Sequence, residues 1–226
     1  ACMIRTLLVS TLRVGCRSAL FLPYLHSSIA RMSSLPQPVY IDETTPFYEQ
    51  QPTEAIATVA AYEMDKLQTA LGDAILAGPI HVGSSAIKGM PGSPIVDLAI
   101  VVESLPPPPP LLEVLAQMGY EYKGAAPHDP QDHWAMGGEG PKGHLGRTVL
   151  HLSPAGSSFV DDARAFVDYC NSNPAAFEAY ANVKLEGMRL ATGAAEGSRH
   201  RTYKMHKHQV VARLLGEAKE WCRVLH

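Results

Sequence analysis

Residues 95–102, Ile95-Val96-Asp97-Leu98-Ala99-Ile100-Val101-Val102, restrict the fold of this chain more than any other stretch. The run is dense in β-branched residues and long enough for a strand. Its almost wholly apolar side chains predict a buried one. Asp97 is its one polar member. A second short apolar run covers residues 79–82. Before both, Ile56, Val59, Ala60, Leu67, Ala70 and Leu71 recur near a 3.6 period and stop at Gly72, which predicts an amphipathic helix over 53–71.

Five consecutive prolines, Pro106 to Pro110, follow the central strand. Proline does not join a helix interior or a central strand, so this tract is expected to be a rigid polyproline II loop leading to a helix over 111–118 that ends at Gly119. Extended segments are expected at Tyr120 to Tyr122, His133 to Met136 and Arg147 to Leu152. The glycine-rich stretch 137–146 matches no phosphate-loop or dinucleotide fingerprint and reads as a hairpin connection. Ser158 and Asp161 resemble a capping box ahead of a helix over 159–170. Asn173-Pro174 supplies an N-cap and first-turn proline for a helix reaching Ala191, and Gly193 and Gly197 precede a last helix over 202–224. A strand-rich middle flanked by helices is an α+β pattern.

Charge falls in blocks. Residues 1–41 hold Arg5, Arg13, Arg17 and Arg31 and no acid (+4), residues 42–198 carry −12, and residues 199–226 carry +5, giving the net −3. A body this acidic argues against nucleic-acid binding, because phosphates would meet repulsion rather than counterion release. The first block has the Arg-, Ser- and Leu-rich, acid-free composition of a mitochondrial or chloroplast transit peptide. It has no span for a bilayer: the uncharged run Ser18 to Ala30 is 13 residues with Pro23 inside it, against the roughly 20 needed. Leu7, Leu8, Leu12, Leu20, Phe21 and Leu22 would be costly in water, so the arm is expected to be retained and to dock onto another protein or a membrane surface. Cys2, Cys16, Cys170 and Cys222 form no C-x-x-C pair and read as reduced packing residues.

The segment His81-Val82-Gly83-Ser84-Ser85-Ala86-Ile87-Lys88-Gly89-Met90, followed by Pro94-Ile95-Val96-Asp97, resembles the GrpB-like family of the nucleotidyltransferase superfamily. The resemblance continues through Leu115 to Tyr120, Leu150-His151-Leu152, Asp168-Tyr169, Tyr180, Lys184, Tyr203 and Lys207. It implies a nucleotidyltransferase-like mixed sheet with flanking helices, a helical C-terminal part and an extended N-terminal arm. The implied division is an extension over 1–49, a domain over 50–216, and the end of the last helix over 217–226.

The resemblance also implies that Gly83, Ser84 and Ser85, with Lys207, hold nucleotide phosphates. Asp97 would be the catalytic and metal-binding carboxylate. Carboxylates at i and i+2 of a strand share a face and can grip magnesium around a triphosphate. Here the second position is Ala99, which supplies no ligand, and Ser93 stands where the family has lysine. Glu103 has the right parity but lies about 20 Å along the strand. Asp129 or Asp132 could substitute, and His151 could bind metal or phosphate. Otherwise Asp97 would be a buried carboxylate hydrogen-bonded to the amides of the Gly83–Ser85 turn. The basic cluster from Arg199 to His208 opens a helix and calls for an anion: a nucleotide phosphate, an acidic lipid headgroup or an acidic partner.

Two functions follow. One is a non-catalytic accessory subunit of a mitochondrial assembly of respiratory-chain or ATP synthase type, needing no cofactor and held to other subunits by the N-terminal arm and the basic cluster. The alternative is a Mg-dependent nucleotidyltransferase using ATP and an unknown acceptor.

Overall fold

A computed structural model describes residues 53–92, 95–126, 129–139 and 145–225. The N-terminal arm, with Cys2 and Cys16, and Ser93 lie outside these residues. Helix α1 (Thr53–Leu71) leads to strand β1 (Ala77–Val82), a tight turn over Ser84–Ala86, and strand β2 (Ile95–Val102). Helix α2 (Pro109–Gln117) follows, then strands β3 (Glu121–Ala126), β4 (Asp129–Glu139) and β5 (Leu145–Pro154). Helices α3 (Phe159–Ser172), α4 (Pro174–Thr192) and α5 (Arg199–Leu225) complete the domain.

The five strands form one sheet in the order β1-β2-β5-β4-β3. Only β2 and β5 run parallel; the other three pairings are antiparallel. The sheet is therefore mixed, and the α+β expectation holds.

Because β2 is apolar on both faces, both faces must be covered. On one, Val96, Leu98, Ile100 and Val102 join Leu150 and Leu152 of β5 under α1 and α2. Leu98, Ile100, Leu150 and Leu152 are completely buried, and each such side chain stabilises the fold by about 1.5–3 kcal/mol relative to its exposed state. On the other face, Val82 and Ala99 meet Val160 near the start of α3. Beyond that contact α3, α4 and α5 pack on one another through Phe166, Cys170, Tyr180 and Leu214. Ile87 and Met90, just past the tight turn, join this second cluster. The turn and the head of β2 are thus held between the sheet and the three-helix layer.

Some sequence expectations change. The polyproline tract does not end before the helix: Pro109 and Pro110 form the first turn of α2, with Pro108 as its N-cap. First-turn N–H groups have no intrahelical partner, so proline sacrifices nothing there. The expected capping box at α3 is absent. Ser158 Oγ instead donates to Asp162 Oδ2 at 3.0 Å, and Ser157 Oγ accepts from the Phe159 N–H at 3.2 Å. At α4 the expectation is met: Asn173 Oδ1 accepts from the N–H groups of Ala175 and Ala176, at 3.1 and 3.2 Å. Helix α5 begins at Arg199, three residues earlier than expected, which takes the start of the basic cluster into its first turn.

A buried carboxylate ties α1 to the residue just before β3. Glu63 is completely buried and accepts from Lys66 Nζ at 3.0 and 3.1 Å and from the Tyr120 hydroxyl at 3.0 Å. Cys170 is a buried free thiol whose pKa burial pushes up to about 11, in keeping with a packing role. Cys222 is free and packs against the same cluster.

Candidate functional site

The site is built around the turn that links β1 to β2. Gly83 turns the chain with φ +68°, a conformation that glycine adopts at no steric cost. A Cβ at this position would stand 2.5 Å from Asp97 Oδ2, so glycine also permits the close approach of turn and carboxylate. Val82 and Asp97 are register partners across β1 and β2, which fixes that approach in the backbone.

Ser85 binds the turn to both strands. Its Oγ accepts from the Asp97 N–H at 3.5 Å and is hydrogen-bonded to His81 Nε2 at 2.9 Å. Burial lowers the His81 pKa against the opposing pull of Asp97, which favours a neutral ring accepting the serine proton.

Asp97 is not a buried carboxylate hydrogen-bonded to turn amides. It keeps 28% of its side chain exposed, and its Oδ1 lies 3.8 Å from His151 Nε2. His151 reaches it because Ala99 pairs with His151 in the parallel register of β2 and β5, so Asp97, Ala99 and His151 share one face. His151 also packs on Phe159, with ring centres 5.0 Å apart.

The position of the missing second carboxylate is sealed. Ala99 is completely buried against Val82 and Val160. Asp129 and Asp132 lie on β4, two strands away from β2 in the sheet, and their side chains lie outside the described residues. Their neighbour His133 pairs with Leu152, which pairs with Ile100, so the backbone of Asp132 lies on the order of 15 Å from that of Asp97. Glu103 lies beyond the end of β2 and is exposed. Among the described residues, no group of three His, Cys, Asp or Glu side chains could hold a metal. Magnesium demands near-octahedral oxygen coordination. One carboxylate between two imidazoles, with two ammonium groups nearby, does not fit a magnesium pair.

Those ammonium groups come from the helical layer. Lys184 of α4 is completely buried, and its Nζ has no hydrogen-bond partner among the described residues. It stands over the Tyr180 ring, 5.2 Å from the centre, and a Cβ on Gly92 would come within 2.8 Å of it. That same Cβ would lie 3.9 Å from Ser84 Oγ, so the lysine and the serine of the turn face one small space. Ser84 acts on the Tyr180 hydroxyl, lowering its pKa against the larger upward effect of burial. Burial and the like charge of Lys207 hold the Lys184 pKa well below its ordinary value, with Asp97 opposing them.

Lys207 of α5 is half-buried over the Tyr203 ring, 4.8 Å from its centre. Its pKa is lowered by burial and by Lys204, against the pull of Asp97. Two Tyr-x-x-x-Lys pairs, one on each helix, thus converge on the turn. Lysine and tyrosine four residues apart lie on one helix face, which makes both pairs.

Of the residues singled out from the sequence, the structure brings together Gly83, Ser84, Ser85, Asp97, His151 and Lys207. Lys184 is the addition: the resemblance marks it as a matching position without giving it a role. Its signal lies in the periodicity of α4, where Ala176, Tyr180, Ala181, Lys184, Gly187, Met188 and Ala191 form the buried stripe. A lysine on such a stripe is either paired or awaits a partner.

Comparison with known proteins agrees with this architecture. The family profile described as GrpB protein matches residues 50–217. A UPF0157 protein of Pseudomonas aeruginosa is 31% identical over 159 residues, which span 70% of this chain and 62% of that protein. The crystal structure of the conserved protein GrpB from Enterococcus faecalis superposes with a TM-score of 0.59. It covers 76% of this chain and 98% of its own at 22% identity, a likeness that shows the fold.

Proposed function

This chain belongs to the GrpB family, and from the geometry of this site we propose that it binds a phosphorylated ligand of the nucleotide class at the Gly83–Ser85 turn. The observation that carries this reading is the Lys184 amine: completely buried, without a hydrogen-bond partner among the described residues, and, like Ser84 Oγ, within 4 Å of where a Cβ on Gly92 would stand. Burying such a group unpaired costs several kcal/mol. An anion in that space would provide the missing partner and would raise the lysine pKa again.

Each residue has a part in this reading. Ser84 and the turn backbone orient the anion, and Lys184 and Lys207 neutralise it. The Asp97 carboxylate, exposed at the side facing His151, accepts hydrogen bonds from a hydroxyl or amine elsewhere on the ligand. The rings of Tyr180 and Tyr203 fix the two lysine stems. Metal-dependent transfer of a nucleotidyl group is the less favoured reading, because Ala99 lies sealed in an apolar cluster. The acid-free composition of residues 1–41 supports a second proposal, that the domain is attached to a larger mitochondrial assembly as a non-catalytic subunit. Sedimentation of a native mitochondrial extract tests this; migration as a free 24.4 kDa chain would end it.

Calorimetric titration of the full chain with AMP, ATP and inorganic phosphate tests the pocket. Saturable binding that is lost in Lys184→Met is expected. Failure of all three to bind overturns the reading.

A further inference from the structure

Resting on the phosphate-binding reading, we infer that the pocket takes a single phosphate group, as in a nucleoside monophosphate, without a divalent cation, its two lysines standing in the place of metal. The charges that act on one another around the turn come from three elements. Strand β2 contributes Asp97, helix α4 contributes Lys184, and helix α5 contributes Lys207. Tyr180 and Tyr203 add hydroxyls whose pKa values burial raises, so they remain neutral. His81 and His151 stand at Asp97 rather than at the lysines.

With both lysines protonated, as a bound anion would favour, two ammonium groups against one carboxylate leave an excess of one positive charge. A phosphate monoester supplies it with one to two negative charges, as an addition that needs no accompanying cation. A magnesium–triphosphate would bring its own cation to a site that already holds two and offers one carboxylate to receive it. The metal would have to displace, or be repelled by, the lysines. Ala99 closes the place from which a second carboxylate would act, and its burial leaves no room for water to take over as a ligand.

The experiment is titration of the full chain with AMP and with ATP, each in EDTA and in millimolar magnesium. AMP is expected to bind equally well in both conditions, within about threefold, and ATP no more tightly than AMP. Lys184→Met is expected to weaken AMP binding by about a hundredfold or more, and Lys207→Met by about tenfold or more. Both variants remove charge from partly or wholly buried positions, so the unfolding temperature of each free variant reports whether it has folded. Binding of either nucleotide that requires magnesium, or ATP with magnesium binding at least about tenfold more tightly than AMP, overturns the inference and leaves the phosphate pocket standing. Absence of binding in every condition overturns the pocket itself.

Discussion

Replacing Lys184 by methionine should make the ligand-free protein more stable. Methionine keeps the unbranched stem that packs along Tyr180 and deletes the group that has no hydrogen-bond partner among the described residues. Two opposing effects decide the sign. The contact between ammonium and Tyr180 ring is worth about 0.5–2 kcal/mol when the lysine is charged. Against it stands the desolvation of a buried amine, about 1–3 kcal/mol even when it is neutral and more when it is charged. The cost wins, and the expected gain is about 2 kcal/mol, or about 4–8 °C in unfolding temperature for a chain of this size.

The pH dependence separates this account from a simple gain in packing. The Lys184 pKa is lowered in the folded protein, so between that lowered value and about 10.5 the unfolded chain binds more protons than the folded one. Wild-type stability therefore rises with pH across this window, by up to about 1.4 kcal/mol per pH unit from this one group. The variant lacks the contribution. Its advantage over wild type should thus be greatest near neutrality and shrink as pH climbs toward 10. Urea unfolding of both proteins at pH 7, 8, 9 and 10 measures the difference. A variant less stable than wild type, or a gap that stays constant with pH, would refute the claim that Lys184 is an unpartnered buried amine.

Ala99→Asp, which restores the missing carboxylate pair in sequence, should not create a metal site. It puts a charge among Val82 and Val160, at a cost of about 3 kcal/mol or more, and added magnesium should not recover the lost unfolding temperature. Tyr120→Phe removes one of the donors to the completely buried Glu63 and should destabilise the protein by about 2 kcal/mol, read by chemical denaturation. Wild-type stability in either experiment would show that the packing around β2 or the Glu63 cluster is looser than described.

How far the site could be read from sequence follows from where its parts lie along the chain. His81 to Asp97 is a single local unit, strand, turn and strand, and local patterns suffice for it: the apolar run, the Gly-Ser turn and the lone acid are all visible in order. The same locality explains the error at Pro109 and Pro110. A polyproline tract looks uniform in sequence, and only the packing of Leu111, Val114 and Leu115 decides where within it the helix begins. The role of Lys184 could not be read in this way. It depends on α4 crossing a turn about a hundred residues earlier in the chain, and on Gly92 leaving room for the amine. The two Tyr-x-x-x-Lys pairs were present in sequence, but a lysine on a helix is ordinarily solvated, and nothing local shows that this one faces inward.

That inward lysine yields a last and sharper expectation, because the cost of Lys184 in the free protein and its use in the bound one must be linked. Without ligand the variant Lys184→Met should outrank wild type by about 2 kcal/mol. A ligand that binds only the folded state adds RT ln(1 + [L]/Kd), about 2.7 kcal/mol at a hundredfold excess over Kd. Only wild type retains the ammonium that receives the phosphate, so AMP at that excess should raise wild type past the variant and reverse their order in thermal unfolding. Parallel shifts of both proteins would mean that the anion binds away from Lys184. An unchanged order, with wild type unmoved by AMP, would mean that the buried amine is a defect of packing and not the floor of a binding site.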